Sequence, residues 1–134
     1  MDVKEINQRV IKQFRAGGEI EGMHREGLLL LSTTGRKSGR SHTTPMMFVR
    51  DGDRLFVMAA NAGATQTPDW CLNLIADPHV TVEVGEETYE ANAAVLEGAE
   101  RERHWAVITK DYPFFAEFQV KAGRVIPVVA LERA

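Results

Sequence analysis

Apolar residues recur along this chain with two different periods. In residues 2–16, Val3, Ile6, Val10 and Phe14 fall about one helical turn apart, while Lys4, Glu5, Gln8, Arg9 and Lys12 take the other faces. That spacing predicts an amphipathic helix, read as a packing element, with Asp2 capping its start and Gly17-Gly18 stopping it. Leu28 to Thr33 is instead a continuous apolar run, short enough for a buried strand. After a polar stretch, Gly35 to Ser41, the pattern predicts strands at Thr43 to Val49 and Leu55 to Ala60. Asp51-Gly52 between them signals a hairpin, because glycine accepts the positive φ of a tight turn.

A small-residue loop, Asn61 to Thr67, precedes Pro68-Asp69-Trp70, which opens a short helix with Thr67 as its N-cap and a stop near Asp77-Pro78. Val80, Val82 and Val84 alternate with Thr81 and Glu83, giving a half-buried strand. Gly85-Glu86-Glu87 turns it, and Thr88 to Leu96 returns. Helices over Gly98 to Lys110 and Pro113 to Lys121 follow, then a last strand, Arg124 to Leu131, in which Pro127 marks an edge or a bulge. Hairpin-like connections dominate. The expected fold is α+β: a mostly antiparallel, six-stranded barrel, open or closed, with flanking helices, in one domain over residues 1–134.

Composition narrows the function classes. The 134 residues are 44% hydrophobic with formal net charge −3, so general binding of nucleic acid is excluded and any positive field must be local. The longest clean apolar run, Leu28 to Leu31, is far short of an integral membrane span, although peripheral contact with a membrane stays open. The charged stretch Met1-Asp2-Val3-Lys4-Glu5 does not read as a signal peptide, and Cys71 stands alone, so a cytoplasmic location is expected. His24, His42, His79 and His104 are scattered without metal-ligand spacing, so no metal site is expected.

The local positive field lies in Gly35-Arg36-Lys37-Ser38-Gly39-Arg40. Glycines let the backbone turn sharply and approach a ligand, and the N–H groups of such a bend form a concave anion site. Arg36 offers a two-pronged contact, Lys37 a point charge and Ser38 a hydroxyl. On charge alone this loop is as well read as a solvated basic turn. It is neither a Walker A loop nor a G-x-G-x-x-G or G-x-S-x-G motif.

Taken together, these segments resemble the deazaflavin-dependent nitroreductase family over roughly Ile6 to Arg133. The resemblance rests on Leu28 through Gly39 and Pro45, then on Asp51-Gly52-Asp53-Arg54-Leu55. It continues through Pro68, Trp70, Asn73, Leu74, Ala76, Pro78 and Val80, then Tyr112-Pro113 and Arg124 through Val129. It implies a split β-barrel oxidoreductase that uses coenzyme F420, whose phosphate and oligoglutamate tail are anionic. Arg36, Lys37, Ser38 and Gly39 are then the tail-binding loop, with His42 where relatives often carry arginine. Pro45, Met46, Met47, Met58, Ala59, Ala60 and Asn61 are expected along the ring slot, with Trp70 and Asn73 beside it. The implied reaction is hydride transfer from reduced F420 to an enone, quinone or nitro compound.

Against the family pattern, the tyrosines of the nitroreducing members are Met47, Phe115 and Phe118 here, which predicts an apolar substrate pocket. Tyr112 remains as the candidate catalytic proton donor, with water as the alternative. Two other readings share the same residues: a split-barrel reductase using FMN, and a non-catalytic carrier of F420, flavin, haem or an apolar ligand. A hydrolase built on Ser38 and His42 is disfavoured because no acidic partner is evident. The expected partner is a small-molecule electron acceptor, and the chain is expected to be a monomer or a homodimer.

Overall fold

A computed structural model describes residues 2–20 and 24–134; Met1, part of the charged N-terminal stretch, lies outside them. The first helix, α1, spans Val3–Ala16. Asp2 Oδ1 accepts the Glu5 N–H at 2.8 Å, and Gly17, at φ 83°, turns the chain out of the helix. Arg25 then folds back on that end. Its guanidinium donates to the carbonyls of Gly18 at 3.0 Å, Gln13 at 3.3 Å and Phe14, placing a cation on the negative pole of the helix.

The strands are β1 (Leu28–Thr34), β2 (Ser41–Met47), β3 (Val49–Asp51), β4 (Arg54–Met58), β5 (His79–Val84), β6 (Glu87–Val95) and β7 (Val128–Arg133). They form one antiparallel sheet in the order β2-β1-β5-β6-β7-β4-β3. Seven strands replace the expected six because the segment read as one strand, Thr43 to Val49, breaks at Phe48. The buried Phe48 ring enters the core, and its N–H leaves the ladder to reach the Gly27 carbonyl at 3.2 Å. Both outer strands of the sheet, β2 and β3, are therefore halves of one bent segment, so the sheet curls until its two edges meet at Phe48. This curl is the split barrel.

Three helices complete the fold: α2 (Asp69–Ala76), α3 (Gly98–Asp111) and α4 (Phe114–Ala122). The N-cap of α2 is Pro68 rather than Thr67; its extended backbone (ψ 151°) starts the helix without a side-chain cap. The last strand begins at Val128 rather than Arg124, since Gly123 is left-handed (φ 65°) and Pro127 cannot donate to a ladder. Nor is β7 an edge, because it lies between β6 and β4, and the Pro127 carbonyl accepts the Ala59 N–H at 3.0 Å.

Burial explains the unbroken apolar run of β1. Leu29 and Leu31 enter the barrel core with Val57, Val82 and Val129, while Leu28 and Leu30 face outward under Val10 and Phe14 of α1. A second core, built from Phe56, Trp105, Ile108, Phe115, Ile126 and Val128, joins the sheet to α3 and α4. Within it lies Arg101, only 5% exposed. Its Nη2 donates to the Ile126 carbonyl at 2.7 Å and to Gln119 Oε1 at 2.9 Å, and its guanidinium stacks 4.4 Å from the Trp105 ring.

Candidate functional site

Seven cross-strand pairs, from Leu28 opposite Met47 to Thr34 opposite Ser41, bring β1 and β2 together, and Gly35 to Arg40 closes the hairpin. The Gly35 N–H donates to the Arg40 carbonyl and the Gly39 N–H to the Gly35 carbonyl, each at 2.8 Å. Gly39 sits at φ 71°, a conformation glycine adopts without strain. Ser38 Oγ accepts the Arg40 N–H at 3.2 Å and lies 3.2 Å from His42 Nε2. A Cβ on Gly35 would stand 2.5 Å from Ser38 Oγ and 2.7 Å from His42 Nε2. Gly35→Ala is therefore expected to separate the Ser38–His42 pair and to cost about 1–3 kcal/mol of stability. Thermal denaturation together with the His42 ring resonances checks this; wild-type values in both would mean that the two side chains yield freely.

The loop is bound to α2 by one buried amide. Asn73 Oδ1 accepts the backbone N–H of Arg36 at 3.2 Å and its Nη1 at 2.8 Å, while Asn73 Nδ2 reaches Thr33 Oγ1 at 3.4 Å. Asn73 is 5% and Thr33 2% exposed, so this clamp is shielded from water. Arg36 Nη2 also meets Asp69 Oδ1 at 3.2 Å. Asp69 is largely exposed, so that ion pair is weak and a ligand anion can replace it.

Around this loop opens a groove of about 920 Å³. Arg36, Lys37, Ser38, His42, Trp70 and Asn73 all line it, which brings together six of the residues expected to bind the cofactor. Its opposite wall is α1, through Lys4, Asn7, Gln8 and Ile11. This role was missed: the helical period shows which stripe of α1 is buried, not what faces the polar stripe. Lys4 and Lys37 have no ion pair among the described residues, so both charges are available in an otherwise acidic chain.

Other expected residues lie elsewhere. Gly39 shapes the loop without lining the groove, and Pro45 is half-buried opposite Leu30. Met46 and Trp70 each pack against the barrel core, which also contains Ala59. Met58 and Ala60 are buried in the second core, and Met47 packs against it. Asn61 is exposed at φ 49°, its amide donating to the Gln66 carbonyl at 3.1 Å.

Tyr112, Phe118 and Met47 pack against the second core, which contains Phe115. Phe115, however, is 5% exposed, whereas Phe114 is 38% exposed. The Phe114 ring centroid is 4.5 Å from Phe115, 5.7 Å from Phe118 and 6.1 Å from Tyr112. Phe115 is thus the base of the cluster and Phe114 its outward ring. Consecutive aromatics at the start of a helix face different directions, and sequence does not say which is inward. Strand β2 links the groove to the second core: Thr44 lines the groove, and Met47, three residues on and about 10 Å away, packs against that core.

The sequence profile of the F420H(2)-dependent quinone reductase family matches residues 5–133. An F420H(2)-dependent quinone reductase of Mycobacterium tuberculosis (strain H37Rv) is 32% identical over 108 residues, 78% of this chain and 72% of that one. The solved structure of an F420-H2 dependent reductase is 36% identical, with a TM-score of 0.72, over 83% of this chain and 100% of that one. A structure described as a domain-swapped dimer is 34% identical, with a TM-score of 0.74, over 97% of this chain and 96% of that one. The basic, glycine-framed groove and the profile that spans it lead to one conclusion: this chain belongs to the F420H(2)-dependent quinone reductase family, oxidoreductases whose cofactor is coenzyme F420.

Proposed function

We propose that this protein reduces a hydrophobic, planar acceptor, foremost a quinone, at the expense of F420H2. The observation that carries the reading is the groove in which Arg36, Lys37, Ser38 and Lys4 converge, a concentration of cations in a net acidic chain. Its donors match the chemistry of F420: guanidinium and ammonium groups suit phosphate and carboxylates, and the backbone turn at Gly35 allows close approach. When bound, F420H2 supplies a hydride from its deazaflavin C5. The chain's own residues do the rest. Lys37, Arg36 and Lys4 hold the anionic portion, and Asn73 keeps Arg36 in place. Tyr112, Phe114 and Phe118 offer apolar ring faces to the acceptor and exclude water from it. The Tyr112 hydroxyl, or water, supplies the proton that completes reduction.

Quinones, enones and nitro compounds can be compared by the loss of F420H2 absorbance. Quinones are expected to be consumed fastest, because two phenylalanines stand where the resemblance implied hydroxyl-bearing tyrosines. Failure of all three classes, with F420 bound, would instead favour a carrier. For the acceptor surface, Phe114→Ala is expected to raise the quinone KM about five- to tenfold with little change in Tm, since it removes one exposed stacking ring. Phe115→Ala is expected mainly to lower Tm, because that ring is buried. The opposite pattern in steady-state kinetics and melting would reverse the two roles. We place the reaction in the cytoplasm; among the described residues no helix is long and apolar enough to cross a membrane. The relative described as a domain-swapped dimer supports a homodimer, which sedimentation tests.

A further inference from the structure

Arg124 lies outside the groove lining yet gathers four backbone carbonyls of a single loop. Its Nε donates to Ala64 at 3.2 Å, and its Nη2 is shared among Ala59 at 3.0 Å, Ala60 at 3.3 Å and Gln66 at 3.2 Å. The loop needs an external hold. Asn61, Ala62 and Gly63 have positive φ in succession (49°, 52° and 83°), and Ala62 carries a side chain that disfavours this region. Gly63 also lies so close to Lys121 of α4 that a Cβ there would approach the lysine Cδ to 2.8 Å.

What the loop delivers is α2. Gln66 leads through Thr67 into Pro68, whose carbonyl accepts the Cys71 N–H at 3.1 Å and opens the helix. With eight residues and no side-chain cap, α2 does not fix its own starting point. Yet it carries Asp69, Trp70 and Asn73 into the groove, and Asn73 in turn holds both the backbone and the guanidinium of Arg36. The hydrogen bonds thus run in series from Arg124 to the loop, to α2, to Asn73 and finally to the basic turn.

We propose that Arg124 is a positioning residue for the cofactor groove: by collecting the carbonyls of Ala59, Ala60, Ala64 and Gln66 it sets where α2 begins, and with it the reach of Asn73 to Arg36. The link to cofactor binding rests on the function proposed above; the control of α2 does not.

Cys71 gives a readout that does not require cofactor, and losing the Arg124 charge would by itself slow the thiol rather than speed it. It is the only cysteine of the chain and lies on α2 with 0% exposure. Burial pushes its thiol up to about 11, against the opposing effect of the Arg124 charge, so it is inert near neutral pH unless α2 loosens. The experiment compares wild type, Arg124→Ala and Arg124→Lys. It measures the rate of Cys71 reaction with an aromatic disulfide at pH 7.5, F420 affinity by fluorescence titration, and kcat and KM with a quinone.

Arg124→Ala is expected to speed thiol reaction at least tenfold and weaken F420 binding about tenfold, with kcat at saturation changing less than threefold. Arg124→Lys is expected to restore part of both. An Arg124→Ala protein that melts earlier but keeps wild-type thiol reactivity and F420 affinity would overturn the proposal. If that variant does not fold, Arg124→Lys is judged by the same criteria. Absence of F420 binding by wild type would sink the function reading, leaving the thiol rate to decide whether Arg124 governs α2.

Discussion

Replacing both Arg36 and Lys37 by alanine is expected to weaken F420 binding about a hundredfold while leaving the fold intact. Each charge-assisted contact is taken at about 1.5 kcal/mol, the low end of the range, because the groove is open enough for solvent to screen it. The two losses have different origins. Lys37 acts only as a cation facing the groove. Arg36 is also a fastener, with Nη1 on Asn73 and Nη2 on Asp69, and the rest of its five-donor fork left for a ligand. Arg36→Lys is therefore expected to keep the charge and still lose most of the affinity, whereas Lys37→Arg is expected to be mild. Fluorescence titration at two salt concentrations checks both points: the wild-type advantage should shrink as salt rises. Equal affinity of the double variant and wild type would return the loop to a solvated turn.

The largest effect on stability is expected from Arg101→Met, a loss of about 3 kcal/mol. Two tendencies oppose each other here. Burying a guanidinium is costly, and an apolar replacement of similar length removes that cost and keeps the contact with Trp105. But the partners are the Ile126 carbonyl and Gln119 Oε1, and Gln119 Oε1 also accepts the Ile126 N–H at 3.0 Å. Methionine leaves that corner between α3, α4 and the approach to β7 short of donors. The Ile126 carbonyl is left without its donor, and a buried acceptor so stranded costs more than the charge relief returns. The carboxylate nearest to Arg101, Glu102, is exposed, so no buried counter-charge is stranded. Urea denaturation measures the difference; a midpoint equal to wild type would mean that desolvation dominates.

Local rules read much of this fold correctly. Asp51-Gly52 turns β3 into β4, with Gly52 at φ 62°, and Asp2 and Gly17 bound α1 as capping chemistry dictates. The grouping of Arg36, Lys37, Ser38 and His42 was legible because the loop is contiguous. What escaped depends on three-dimensional neighbours. The break at Phe48 follows from closing the sheet, not from any turn residue. Arg101 was hidden in a helix rich in Glu and Arg, although its spacing from Trp105 and Ile108 places it on the inward stripe. The choice between Phe114 and Phe115 as the exposed ring needed the position of α4. Lys4 joined the site only because α1 lies across the groove.

The place of β7 bears on how the molecule is made. Among the described residues it joins two ribbons, β2-β1-β5-β6 on one side and β4-β3 on the other, and it leaves the ribosome after all six of those strands. Until Val128 onward is synthesised, the inner margins of β6 and β4 have no hydrogen-bonding mate, a form prone to pairing with other nascent chains. Translation pauses or truncations before that strand should therefore produce aggregates rather than a smaller folded domain, and chaperone demand should be highest until that strand emerges.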